Sequence, residues 1–131
     1  MFVDASAIVA ILVREVEGLD LMRRLDRTPK VFVSPLALYE AVLGVARIRN
    51  VPMQEARAAV DYFVEQTNAD IVPIDSHIGN AALIAFGRFG KGRHPAGLNL
   101  GDCFAYACAK QLDVPLLCKG DDFPRTDIAL A

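Results

Sequence analysis

The chain has 131 residues, of which 53% are hydrophobic and 23% are charged, and its formal net charge is −2. This length leaves little room for a second core, so residues 1–131 are expected to form a single domain with an ordered core that needs no disulfides. The net negative charge argues against a protein that holds nucleic acid through bulk positive charge.

The first half of the chain alternates short apolar runs with amphipathic helical patterns. Ser34 and Pro35 form a helix-start signal, and residues 50–52 end that helix before the next one begins. The pattern predicts strands at residues 1–3 and 31–33, and helices at residues 6–12, 18–27, 35–49 and 54–64.

The second half continues the alternation and includes a glycine-rich loop at residues 90–101. A loop of this length in a small domain is usually functional or mobile. The pattern predicts strands at residues 71–74 and 115–118, a final edge strand at 128–130, helices at 76–89 and 102–112, and a turn at 120–122. Strands that alternate with helices predict an α/β fold, with a largely parallel sheet covered on both faces.

Acidic residues follow several of the predicted strands. Asp4 comes directly after the first strand, and Asp121 and Asp122 come just after the strand at residues 115–118. Asp102 opens a helix, and Glu40 lies inside the helix that follows the strand at 31–33. Because ligands of open α/β sheets bind beyond the carboxyl ends of the strands, these acids are expected to meet at one edge.

Each acid also has a structural interpretation. Asp102 alone could be a helix cap, and the Asp121–Asp122 pair beside a glycine could be a simple turn. Glu40 lies on or beside the apolar stripe of its helix, where a carboxylate must be paired, ligated or placed at the helix edge. Asp4 lies at the end of a buried strand, where burying a carboxylate without a partner is costly, so a functional role is favoured most strongly for this residue.

Clustered carboxylates raise one another's pKa unless a cation neutralises them. Hard oxygen ligands select Mg²⁺, with Mn²⁺ as a substitute, and such an ion favours hydrolysis of a phosphodiester by an activated water. Ser6, two residues after Asp4, could hydrogen-bond an Asp4 oxygen or a phosphate, or be an ordinary helix cap. The residues themselves therefore predict phosphodiester chemistry.

Basic residues could hold the phosphates despite the net charge of the chain. Without the five acids of the predicted site, the formal charge rises from −2 to +3. The preferred contacts lie in and before the glycine-rich loop, which leads into Asp102, and other basic residues lie on neighbouring helices. The candidate substrate-binding residues are Ser6, Arg88, Lys91, Arg93, Asn99 and Lys119, with further basic residues at Arg23, Arg24, Arg27, Arg47, Arg49 and His94. Two of these residues also have a structural interpretation: Asn99 could be an ordinary loop asparagine, and Lys119 could simply cap the end of the strand.

The cysteines and the N-terminal segment bear on location. The chain has three cysteines, Cys103, Cys108 and Cys118, whose spacing is not that of metal ligands. An odd number of cysteines without a disulfide pattern is typical of a protein in a reducing compartment. The N-terminal apolar run is short, contains Asp4 and has no basic leader, so neither a signal peptide nor a membrane span is expected. We expect a cytoplasmic protein.

Four segments together resemble the PIN-domain family, and within it the VapC-type toxins of bacterial toxin–antitoxin pairs. They are MFVDASAIVAIL, LALYEAVLGV, HPAGLNLGDCFAYACAK and PLLCKGDDFPRTDI. The resemblance places Asp4, Glu40 and Asp102 at the three acidic motif positions, and the fourth position falls on Asp121 or Asp122. It implies a three-layer α/β/α fold with a five-stranded parallel sheet. It also implies a Mg²⁺-dependent endoribonuclease, usually a homodimer, inhibited by a small antitoxin that inserts a segment near the active site.

Two other functions compete with this interpretation. In a haloacid-dehalogenase-like phosphatase, Asp4 would be the nucleophile, but that chemistry requires a second aspartate where this chain has Ser6. In a catalytically silent PIN-fold binding module the fold would remain without turnover, although all the acidic positions of this chain are filled.

Overall fold

The computed structural model describes residues 1–131. No helix combines the length and the hydropathy that a membrane span requires, and all three cysteines are free thiols. In chain order the elements are β1 (Phe2–Val3), α1 (Ala5–Leu12), α2 (Gly18–Asp26), β2 (Phe32–Val33), α3 (Pro35–Arg49), α4 (Met53–Thr67), β3 (Asp70–Ile71), α5 (Ser76–Phe89), α6 (Leu100–Leu112), β4 (Leu116–Leu117) and a 3-10 helix (Phe123–Arg125).

The strands form one parallel sheet in the order β3-β2-β1-β4. Successive residues of a strand point to opposite faces of the sheet. Phe2 and Leu116 accordingly pack into a core with α5 and α6, whereas Val3, Val33 and Leu117 pack into a second core with α1 to α4. The predicted three-layer α/β/α arrangement is confirmed, and β1, at the centre of the sheet, leads directly into Asp4.

The sheet has four strands, so the expectation of five was wrong in this detail. The predicted edge strand at residues 128–130 is reduced to a single parallel bridge between Leu130 and Leu116. Leu116 N–H donates to the Ala129 carbonyl at 2.8 Å, and Ala131 N–H donates to the Leu116 carbonyl at 3.0 Å. Because the segment pairs through one residue, it borders β4 without extending the sheet.

The glycine-rich loop is folded back on the end of α5. Gly90 pairs with Leu98, and Leu98 N–H donates to the Phe89 carbonyl at 2.9 Å. Ala96 and Leu98 are buried. As a result α6 begins at Leu100, two residues earlier than predicted, and Asp102 lies inside its first turn.

Candidate active site

Asp4 is buried, with 4% of its surface exposed, at the point where β1 ends and α1 begins. It is the N-cap of α1, and its Oδ2 accepts the Ser6 N–H at 2.9 Å and the Ser6 hydroxyl at 2.5 Å. Burial raises the pKa of the Asp4 carboxyl, and the hydrogen bonds from Ser6 oppose that rise. Ser6 therefore orients the Asp4 carboxylate, and its own Oγ accepts the Lys119 N–H at 3.0 Å.

Glu40 projects from α3 towards the first turn of α6. Ser34 caps α3 by accepting the Ala37 N–H at 3.1 Å, and Pro35 fixes the first helical turn. The carboxylate of Glu40 lies directly against Gly101. Burial, and then the charges of Asp4 and Asp102, raise the pKa of Glu40 to about 7. Glu40 is thus close enough to both aspartates for their charges to act on it.

Asp102 combines a structural role with a place in the acidic cluster. Its Oδ2 accepts the Asn99 N–H, and its own N–H donates to Asn99 Oδ1, each at 2.9 Å, so the two residues form a capping box. Burial raises the pKa of Asp102 to about 6; the Asn99 hydrogen bond opposes this rise, and the charges of Asp4 and Asp122 add to it. The cap interpretation and the cluster interpretation are therefore both consistent with the geometry.

The two acids of the last turn differ in their effect on the cluster. Both are exposed and follow Gly120, whose φ of +99° favours glycine. Asp122, and not Asp121, is among the charges that raise the pKa of Asp102. The pKa of the half-buried Cys118 thiol is raised to about 12, chiefly by burial. The charges of Asp4, Asp102 and Asp122 add to this rise. This electrostatic effect makes Asp122, rather than Asp121, the candidate for the fourth acid.

The donor chemistry of the cluster suits a hard divalent cation. Its side-chain ligands are carboxylates, whose mutual repulsion a cation would relieve. Both hydrogen bonds from Ser6 go to Oδ2 of Asp4, so neither occupies Oδ1. In this arrangement no three acidic, histidine or cysteine side chains are close enough together to coordinate one ion. The carboxylates would have to move inward to bind it.

Several predicted substrate contacts have other partners in the structure. Arg88 lies 3.3 Å from Asp127, which also accepts the Tyr106 hydroxyl at 2.6 Å. The ammonium group of Lys119 pairs with Glu15, and the Asn99 side chain caps α6. These interactions provide each side chain with a structural role, and only Asn99 among them contacts a residue of the acidic cluster, through the backbone N–H of Asp102.

Two further basic candidates, Lys91 and Arg93, are exposed in the glycine-rich loop. Arg93 lies over the Phe86 ring, 5.6 Å from its centroid. No lysine or arginine is among the charges that act on Asp4, Glu40 or Asp102. The structure therefore brings together the acids, but not the basic residues predicted to accompany them.

Gly101 is the one contributor to the site that the sequence patterns missed. It lies between Leu100 and Asp102, and a Cβ at this position would collide with the Glu40 carboxylate. A glycine inside a predicted helical segment, next to a candidate ligand, is the sequence signal that could have indicated it.

Comparisons with known proteins bear on the family of this chain. The family model of the PIN domain matches residues 1–129. A VapC ribonuclease of Rhizobium meliloti is 47% identical over 139 aligned residues, covering 97% of this chain and 98% of that protein. Ribonuclease VapC of Mycolicibacterium smegmatis is 36% identical, covering 98% of each chain.

A solved structure supports the same fold. Mycobacterium tuberculosis VapC20, described as a sarcin-ricin loop cleaving toxin, superposes with a TM-score of 0.78 over 99% of this chain and 97% of its own. At 16% identity, this likeness concerns the fold alone.

Proposed function

The chain belongs to the PIN-domain family, and from that premise we propose that it is a VapC-type endoribonuclease, the toxin of a toxin–antitoxin pair. It cleaves single-stranded RNA with Mg²⁺, for which Mn²⁺ can substitute, and it acts as a homodimer. Two observations argue against the haloacid-dehalogenase-like phosphatase. The family model that matches the chain is that of the PIN domain, and Ser6, which donates to Asp4, stands where the phosphatase chemistry needs a second acid.

The observation that carries the proposal is the electrostatic coupling of Asp4, Glu40 and Asp102. Asp4 and Asp102 raise the pKa of Glu40, and Asp4 raises that of Asp102. Carboxylates close enough to raise one another's pKa are unfavourable in the metal-free protein, and a divalent cation would relieve that repulsion. The cation would in turn attract the phosphate oxygens of a phosphodiester.

Each acid has a distinct part in the proposed reaction. When bound, Mg²⁺ or Mn²⁺ supplies Lewis-acid chemistry for in-line hydrolysis of the phosphodiester. Asp4 and Asp102 would hold the ion with carboxylates oriented by Ser6 and by the Asn99 N–H, and Asp122 would assist them. Glu40 would reach the ion with its carboxylate as well, and its pKa of about 7 in the metal-free protein suits it to accept a proton from the attacking water.

Metal removal tests this function directly. Purified protein, free of any partner, is expected to cleave 5′-labelled single-stranded RNA in Mg²⁺. Cleavage should fall to background in excess EDTA and return with Mg²⁺ or Mn²⁺, measured by product bands on a denaturing gel. Cleavage that persists in EDTA would contradict the metal role. A clean wild-type protein that cleaves none of several varied RNAs would instead indicate a catalytically silent binding module.

We propose that the antitoxin covers the groove between α3 and α4. This groove encloses about 690 Å³, and apolar side chains exposed to solvent, including Tyr39, Met53 and Ile71, line it. Exposed apolar surface of this kind is typical of a protein-binding site. It borders α3, the helix that carries Glu40, so a segment bound there could extend towards the acids.

Substituting Met53 tests the groove. Met53 is the first residue of α4 and is 50% exposed, and an aspartate there is favourable at the helix N-terminus. Met53→Asp is expected to lower the affinity for the antitoxin, to be sought among the products of the neighbouring short open reading frames, by about 10-fold or more, since it buries a charge. Inhibition of RNA cleavage by that protein measures the effect. The control is Leu83→Asp, the same kind of change at an exposed residue of α5, and the antitoxin should inhibit this variant as well as it inhibits the wild type. If the antitoxin inhibited Met53→Asp and Leu83→Asp equally well, its binding site would lie outside the groove.

A further inference from the structure

Gly101 occupies an unusual position in the first turn of α6. An ideal Cβ built on this buried glycine would overlap both carboxylate oxygens of Glu40 and lie 2.5 Å from its Cδ. Real side chains essentially never approach so closely, so the carboxylate fills the space that any other residue at 101 would need. The contact joins α3 to α6, two helices that pack against each other.

The backbone gives no other reason for a glycine here. The glycines with positive φ are Gly92, Gly97 and Gly120, so Gly101 does not need the left-handed conformation. A glycine inside a helix makes the helix less stable than an alanine at the same position would. Gly44 in α3 faces an apolar side chain, Val9, at a comparable distance, whereas Gly101 faces a carboxylate of the candidate site.

We infer that Gly101 is a positioning residue for Glu40: the absence of a side chain at 101 keeps the Glu40 carboxylate against the first turn of α6, beside Asp102. A methyl group at 101 displaces this carboxylate. The displacement falls on the side chain, because rotating a flexible Glu side chain costs less free energy than overpacking two helices. The inference rests on the proposed function only in assigning Glu40 to cation binding.

Gly101→Ala, with Gly87→Ala as a matched control, tests the position of the carboxylate. Gly87 also lies inside a helix, α5, and a Cβ there would meet nothing within 4 Å. Crystal structures are expected to show Glu40 displaced in Gly101→Ala and unchanged in Gly87→Ala. The melting temperature of Gly101→Ala should not fall, because alanine favours the helix. A Glu40 carboxylate that keeps its wild-type position beside the new methyl group would overturn the inference.

Binding of Mn²⁺, followed by electron paramagnetic resonance, tests the consequence. Gly101→Ala is expected to weaken Mn²⁺ binding by about 10- to 100-fold, as loss of a supporting group typically does, while Gly87→Ala binds as the wild type. In a Glu40→Ala background the same change should have no further effect, because the residue it displaces is gone. If Gly101→Ala weakened Mn²⁺ binding by a further 10- to 100-fold in the Glu40→Ala background, as a general structural defect would, the inference would also be overturned. A wild-type protein that binds no Mn²⁺ would contradict the proposed function alone, and the crystal structures would still decide the role of Gly101.

Discussion

Asp4→Asn is expected to reduce RNA cleavage by about 1,000-fold or more, a loss typical of removing a central catalytic group. Asp4 is the most buried of the acids, and β1 and the N-cap position of α1 fix its location. Asparagine keeps the shape of the side chain but lacks the charge that a divalent cation requires. Initial cleavage rates of single-stranded RNA in saturating Mg²⁺ measure the loss.

The same substitution should not weaken the fold. Asparagine caps helices about as well as aspartate, and its Oδ1 can still accept the Ser6 N–H. Burial raises the pKa of Asp4, which means that the ionised form is unfavourable in the metal-free protein. The free energy of unfolding of metal-free Asp4→Asn, measured in urea by circular dichroism, is therefore expected to equal or exceed that of the wild type.

Matched substitutions at the other acids give this prediction its controls. Asp102→Asn should also abolish cleavage while preserving the capping box, since an amide oxygen can still accept the Asn99 N–H. In the last turn, Asp122→Asn should lower activity, whereas Asp121→Asn should retain most of it, because only Asp122 acts on Asp102. If both Asp4→Asn and Asp102→Asn remained active, the carboxylate mechanism would be wrong.

The position of Asp4 could be predicted from sequence because it depends on local order. An acid immediately after a short apolar strand must lie at the carboxyl end of that strand, whichever strands flank it. The alternation of strands and helices likewise predicted a covered parallel sheet, which the packing of Phe2 and Val3 into opposite cores confirms. Both conclusions follow from short-range patterns.

Contacts between distant segments could not be predicted in this way. Arg88 was a candidate for phosphate binding because of its charge and its place before the glycine-rich loop, but its Asp127 partner lies 39 residues further along the chain. The choice between Asp121 and Asp122 depends on which of them is placed so that its charge acts on Asp102, in a different element of the chain. The fit between Gly101 and Glu40 depends on how α3 packs on α6, which neither segment encodes alone.

The stability of the metal-free protein is expected to fall as pH rises from about 4 to 7. The pKa values of Glu40 and Asp102 are raised in the folded state, to about 7 and about 6. Between the unfolded and folded pKa values the native protein binds more protons than the unfolded chain, so the favourable contribution is complete at low pH and is lost as these carboxyls ionise. Because both groups are partly exposed to solvent, the combined loss is about 2 kcal/mol.

Urea unfolding at a series of pH values, with and without cation, measures this effect. Glu40→Gln should remove roughly half of the loss, whereas Glu65→Gln, at an exposed position of α4, should leave the wild-type profile unchanged. Saturating Mn²⁺ should reverse the slope, because the cation binds the ionised carboxylates and competes with protons for them. If Glu40→Gln and the wild type lost stability in parallel over this range, the pKa of Glu40 would not be raised in the folded protein. If Mn²⁺ left the slope unchanged, these carboxylates would not be the ligands of the cation.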